Sequence, residues 1–150
     1  MQEEFFEINN NILHFVYKDS DYLIDLDQLE VMSVHLNHVV FVECGKVKSV
    51  PSSCFDIRLL TYALLDNPNF MVCGRGNIVN LGLVQSVHIV RLNDERGLSD
   101  KYNVMLIFKN RTKKEITLNS WREAERLHHQ IDDKISDIKN AETISHLGVN

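Results

Sequence analysis

Apolar and polar residues alternate with a period of two through much of the first 50 residues. That spacing turns one side chain of each pair toward a core and the next toward solvent, so it predicts strands. Strands are expected over residues 4–8 and 12–17, around a turn of Asn9, Asn10 and Asn11. Others follow over 22–26, 31–36 and 39–43, the last stopped by Gly45. A short strand over 47–50 ends at Pro51, which has no N–H to give to a ladder. Ser52 and Ser53 are the expected caps of a helix, with Asp56 three residues after Ser53, close to a capping box. Phe55, Leu59, Leu60 and Ala63 then recur at helical spacing until Asp66-Asn67-Pro68 closes the helix.

The second half repeats this order. Leu23 aligns with Ile78, Asp25 with Asn80 and Leu26 with Leu81. The ends of the two stretches align as well: Val50 with Ile116, Ser53 with Asn119, Phe55 with Trp121. In each, a short strand leads to a polar cap and an aromatic-led helix. The second stretch adds strands near 84–90 and 104–108, a polar loop over 91–101 and a short strand over 115–118. Its helix is longer, with Trp121, Ala124, Leu127, Ile131, Ile135 and Ile138 at three- and four-residue steps. The expected fold is therefore α+β, mostly antiparallel β in two repeated strand-rich units that each end in a helix. One domain over 1–140 is expected, with duplicated units at about 20–66 and 76–138 and a flexible tail over 141–150.

Composition leaves that picture in place: 44% apolar and 25% charged residues are ordinary globular values. No apolar run approaches the ~20 residues of a membrane helix. The N-terminus is acidic where a signal peptide is basic, so a cytoplasmic location without membrane contact is expected. Cys44, Cys54 and Cys73 are odd in number and form no C-x-x-C pair, against both a disulfide framework and a structural zinc site. Charge changes the picture more. The net −5 conceals −8 over residues 1–44, +5 over 45–131 and −2 over 132–150. A basic centre beside an acidic start suits an anion-binding face, two faces that pair internally, or solvated charges with no partner.

Little in the chain points to catalysis. His128 and His129 each have an aspartate four residues on, Asp132 and Asp133, but no H-E-x-x-H pattern supplies further metal ligands. Surface hydrogen bonding is the expectation for them, and half-buried strand positions for His35 and His88. A thiol at Cys44 or Cys73 next to glycine and near Arg75 could have a lowered pKa. Nothing nominates a base for it, and buried, inert cysteines are the simpler reading. The Gly74-Arg75-Gly76 run lacks the further glycine of a dinucleotide fingerprint at Val79 and reads as a loop entering a strand. No enzyme, cofactor or metal is implied. The densest positive cluster, Lys109, Arg111, Lys113 and Lys114, is expected at a hairpin tip, where it can contact phosphates or simply be solvated.

The run Phe70-Met71-Val72-Cys73-Gly74-Arg75-Gly76-Asn77-Ile78-Val79-Asn80-Leu81 resembles the central motif of the LytTR family of bacterial DNA-binding domains, Phe-x-Arg-x-His-Arg-Ser-x-x-Val-Asn. Phe70, Arg75, Val79 and Asn80 fall on it without a gap, while Val72, Gly74 and Gly76 stand where the motif has arginine, histidine and serine. The resemblance covers about residues 20–127. It implies a mostly β domain that inserts loops into DNA grooves for transcription regulation, here without a receiver or membrane segment. It carries Arg75 over as a DNA contact, with His38 in an early loop and Asn119 and Arg122 after the last strand. Two readings follow. One is a LytTR-like DNA-binding domain using Arg75, His38, Lys109, Arg111, Lys113, Lys114, Asn119 and Arg122. The other is a non-enzymatic protein-interaction module, an adaptor or inhibitor whose acidic N-terminal face meets a basic partner. A homodimer fits either.

Overall fold

A computed structural model describes residues 6–93 and 100–147 of the chain. The fold is α+β, mostly antiparallel β in three sheets with two helices, the C-terminal one long. The chain divides into two compact units, Met1–Asn80 and Leu81–Asn150.

In the first unit β1 (Glu7–Asn9), β2 (Ile12–Tyr17) and β3 (Ser20–Asp25) form a three-stranded antiparallel meander. Asn10 and Asn11 make its first turn at φ 53° and 63°, Lys18 and Asp19 its second at 51° and 61°. Two consecutive left-handed residues match the right-handed twist of the strands they join. Asparagine and aspartate tolerate that conformation better than other side chains because they bond locally.

The rest of the unit runs β4 (Leu29–Val34), β5 (His38–Glu43), β6 (Lys46–Pro51), α1 (Ile57–Leu65), β7 (Phe70–Val72) and β8 (Asn77–Asn80). Its five strands lie in the order β6-β5-β4-β8-β7. The core of the unit joins Leu13, Phe15 and Ile24 of the meander to Leu29, Met32, Val39, Phe41 and Ile78 of the larger sheet. Phe15 stacks on Tyr22 at 5.1 Å and meets the Phe55 ring edge-on at 4.7 Å. Buried polar groups are answered: the Glu30 carboxylate accepts from the Gly45 N–H at 2.7 Å, and Asn80 Nδ2 donates to the Leu26 carbonyl at 3.3 Å.

Helix α1 corrects the expected cap. Ser52 and Ser53 fall in a single 3-10 turn, Ser52–Cys54, and Asp56 caps the helix by accepting from the Leu59 N–H at 3.2 Å. Aspartate does this with a side-chain oxygen that satisfies an otherwise orphaned amide. Phe55 is buried ahead of the helix, whose inward stripe is Leu60 and Leu64 rather than Leu59.

In the second unit a 3-10 turn, Leu81–Leu83, leads into β9 (Val84–Asn93), β10 (Asp100–Phe108) and β11 (Lys113–Leu118), ordered β11-β10-β9. Of the polar loop expected over 91–101, residues 94–99 lie outside the described residues, as do 4 and 5 of the strand expected over 4–8. Helix α2 (Trp121–Leu147) starts at Ser120, whose hydroxyl accepts from the Glu123 N–H at 3.2 Å, so Ser120 and not Asn119 is the cap. The helix buries Ala124, Leu127, Ile131 and Ile138 and leaves Trp121 half exposed. It runs past Ala141 to Leu147; of the tail expected over 141–150, residues 148–150 lie outside the described residues. Among the described residues no helix is long and apolar enough to cross a membrane.

Candidate nucleic-acid interface

The five-stranded sheet brings two of the candidate residues to one of its ends. Val34 pairs with Val39 on one side, and its N–H donates to the Gly76 carbonyl at 2.7 Å on the other. The β4–β8 register, Ser33 opposite Asn77, continues through that bond. One residue further, His38, His35 and Arg75 stand in a row across β5, the end of β4 and the β7–β8 turn. The His35 N–H donates to the His38 carbonyl at 2.9 Å, and the two imidazoles stack at 4.7 Å. Two strand spacings separate His38 from Arg75, roughly 10 Å.

All three side chains are exposed. His35 is thus a correction: the strand pattern put it half-buried, but β4 ends at Val34 and His35 opens the loop. The same holds for His88, exposed on β9 with its Nε2 3.1 Å from the Ser86 hydroxyl. The His-x-x-His spacing of 35 and 38 was the available signal, since a two-residue loop sets such residues opposite each other.

Arg75 sits between Gly74 at φ 71° and Gly76 at φ 70°. Its own carbonyl accepts from Asn77 Nδ2 at 3.3 Å. Among the residues that match the LytTR motif, Phe70, Val79 and Asn80 are all buried; Arg75 alone reaches solvent. The match therefore has two layers, three positions that hold the fold and one that can meet a ligand.

The basic tip of the second unit forms as a hairpin. Arg111 turns it at φ 74°, its N–H donating to the Phe108 carbonyl at 2.8 Å, and the Phe108 N–H donates to the Thr112 carbonyl at 2.9 Å. Lys109, Arg111 and Lys113 are exposed. Lys114 shares the face of β11 that carries the buried Ile116 and is half-buried. Asn119 and Arg122, both exposed, lie at the far end of β11, roughly 20 Å from Lys113 at the rise of a strand. They do not share a site with the tip. Arg122 instead lines a shallow groove of about 280 Å³ with Trp121, Glu125, Arg126 and His129. Arg126 has no part in the sequence reading and His129 only one beside Asp133, although Arg122 and Arg126 are four apart on one helix face. Among the described residues no ion pair engages Arg75, Lys109, Arg111, Lys113 or Arg122.

The alternative chemistry fares less well. His128 Nδ1 lies 3.0 Å from an Asp132 oxygen, with Nε2 3.3 Å from the Val87 carbonyl, a structural tie between helix and sheet. His129 reaches Glu125 at 4.0 Å rather than Asp133. Among the described residues no three histidine, cysteine or acidic side chains gather as metal ligands. Cys44 is exposed, at φ 50°, its thiol 2.8 Å from Gln28 Oε1, which corrects the expectation that it is buried.

Cys73 is buried, and desolvation pushes its thiol up to about 12, the reverse of an activated nucleophile. Burial disfavours the thiolate, so stability is unaffected below the unfolded value of 9.0 and falls as pH climbs from there toward 12. The stability advantage of wild type over Cys73→Ala is thus expected to shrink, by on the order of 1 kcal/mol, between pH of about 8 and about 10. Urea unfolding of both proteins at each pH checks this, and an unchanged difference would contradict a buried neutral thiol.

No protein-family model and no curated protein matches the chain. Among solved structures it is similar to the LytTR DNA-binding domain of a protein described as a methyl-accepting/DNA response regulator from Bacillus cereus. The TM-score is 0.51 at 12% identity, over 79% of this chain and 97% of that one. The likeness is one of fold.

Proposed function

We propose that this chain is a non-enzymatic DNA-binding domain of LytTR type that serves transcription regulation. The observation that supports it is the row His38, His35 and Arg75, exposed at one sheet end of a chain with the LytTR fold. Imidazole and guanidinium suit that task. Arginine offers a planar fork that bonds guanine O6 and N7 or a phosphate in pairs, and histidine offers a donor or an acceptor. In this reading Lys109, Arg111, Lys113, Lys114, Asn119 and Arg122 add backbone contacts, which orient the duplex without reading it.

Fluorescence anisotropy with a labelled duplex at low salt tests the assignment. Arg75→Ala is expected to weaken binding about tenfold, within the ~1–3 kcal/mol of a bidentate base contact. Arg75 is exposed, so the variant keeps the wild-type melting temperature. Equal affinity for the variant would remove Arg75 from the interface, and no binding by wild type would remove the function.

A second reading, a protein-interaction module that meets a basic partner, draws on one observation. Val16 and Leu23 are exposed on the outer face of the N-terminal meander beside Asp21, which reaches His14 at 2.9 Å. That reading expects no duplex binding at any salt concentration.

A further inference from the structure

The loop between β4 and β5 carries a leucine where a soluble hairpin usually has a polar residue. Leu36 is 91% exposed, the most exposed of the large apolar side chains among the described residues. A single apolar residue at a surface is ordinary. Its setting here is not. Leu36 and Asn37 form the tip of the loop, between His35 and His38, and Ser52 fixes both carbonyls: its hydroxyl donates to Leu36 at 3.3 Å and its N–H to Asn37 at 3.0 Å. The residues that flank the loop tip, His35 and His38, stack their rings, and the β4–β8 register continues to Arg75. A held apolar tip next to three nitrogen-bearing side chains suits the edge of an A·T pair in the major groove. There thymine presents a methyl group beside hydrogen-bonding atoms.

We propose that Leu36 is a specificity-determining contact that packs against the 5-methyl of thymine while the His38–His35–Arg75 row bonds neighbouring base edges or phosphates. The proposal rests on the DNA-binding reading. It adds a base preference that Arg75 by itself does not supply, because guanidinium contacts favour guanine or any phosphate. The fixed loop backbone matters to it, since a loop held before binding loses little backbone freedom on contact.

The test uses a mixed-sequence duplex and its counterpart in which deoxyuridine replaces every thymidine, so that only the methyl groups differ. Wild type is expected to bind the thymidine duplex about fourfold more tightly, the worth of one buried methyl-sized group at ~0.8 kcal/mol. Leu36→Ala is expected to bring that ratio close to one, and Leu36→Met to keep most of it. Leu36 is nearly free of packing, so both variants should melt with wild type. Wild type that binds both duplexes equally, or Leu36→Ala that keeps the full preference, overturns the contact and leaves DNA binding standing. Failure of wild type to bind either duplex overturns the DNA-binding reading and the contact with it.

Discussion

Phe41→Ala is expected to remove about 3–5 kcal/mol from the stability of the first unit, the usual cost of emptying an aromatic site in a core. Phe41 is fully buried on β5, its ring 6.0 Å from both Phe15 and Phe55. The loss combines the transfer free energy of the ring with a cavity that the neighbours cannot close. They are held elsewhere: Phe15 by Tyr22 at 5.1 Å and by the meander register, Phe55 by the 3-10 turn before α1. Whole domains are stable by only ~5–15 kcal/mol, so the variant should unfold at far lower urea. Phe41→Leu keeps much of the volume and should cost less than half as much. Urea melts followed by circular dichroism read both. A loss below about 1 kcal/mol for alanine would mean that the two sheets of the unit do not share this core.

Gly76→Ser gives the second large effect, and its direction is counterintuitive because serine is the residue the LytTR motif has there. Gly76 sits at φ 70°, and a Cβ at that position would stand 2.6 Å from the Val34 carbonyl oxygen. The contact is with backbone, which cannot swing aside. The same stretch holds the 2.7 Å bond from the Val34 N–H to the Gly76 carbonyl, so relief of the clash strains the row that carries Arg75. Left-handed strain of ~1–3 kcal/mol and a weakened hydrogen bond of about 1 kcal/mol give a loss of roughly 2–4 kcal/mol. Gly76→Ala should cost the same, since Cβ and not the hydroxyl is the cause. Equal stability of Gly76→Ser and wild type would show that the turn adopts another conformation.

These two positions show what the sequence made legible. Period-two alternation located the strands because one-sided burial writes itself into every second residue, as in Phe15 and Phe41. The asparagine turn was visible for the same local reason, since Asn10 and Asn11 take φ values that few side chains accept. Caps were harder. Ser52, Ser53 and Asn119 are as competent chemically as Asp56 and Ser120, and only the path of the chain decides which oxygen meets an orphaned N–H. Exposure was harder still. A leucine in a strand-rich stretch reads as core, yet Leu36 stands outside it, and His35 reads as half-buried although β4 stops one residue earlier. The motif resemblance was legible mainly through Phe70, Val79 and Asn80, which are buried and hold the fold. Arg75 was named, but its alignment with His35 and His38 depends on the order β5-β4-β8, a tertiary fact.

DNA binding is the central claim, and its salt dependence tests it most directly. Duplex affinity of the wild-type protein, followed by anisotropy across a series of potassium chloride concentrations, should fall linearly on logarithmic axes. A slope steeper than about −2 is expected, since each neutralised phosphate contributes about −0.9 through counterion release. Lys113→Ala should flatten it by about one phosphate's worth. Absence of binding at the lowest salt, or an affinity indifferent to salt, would contradict the account.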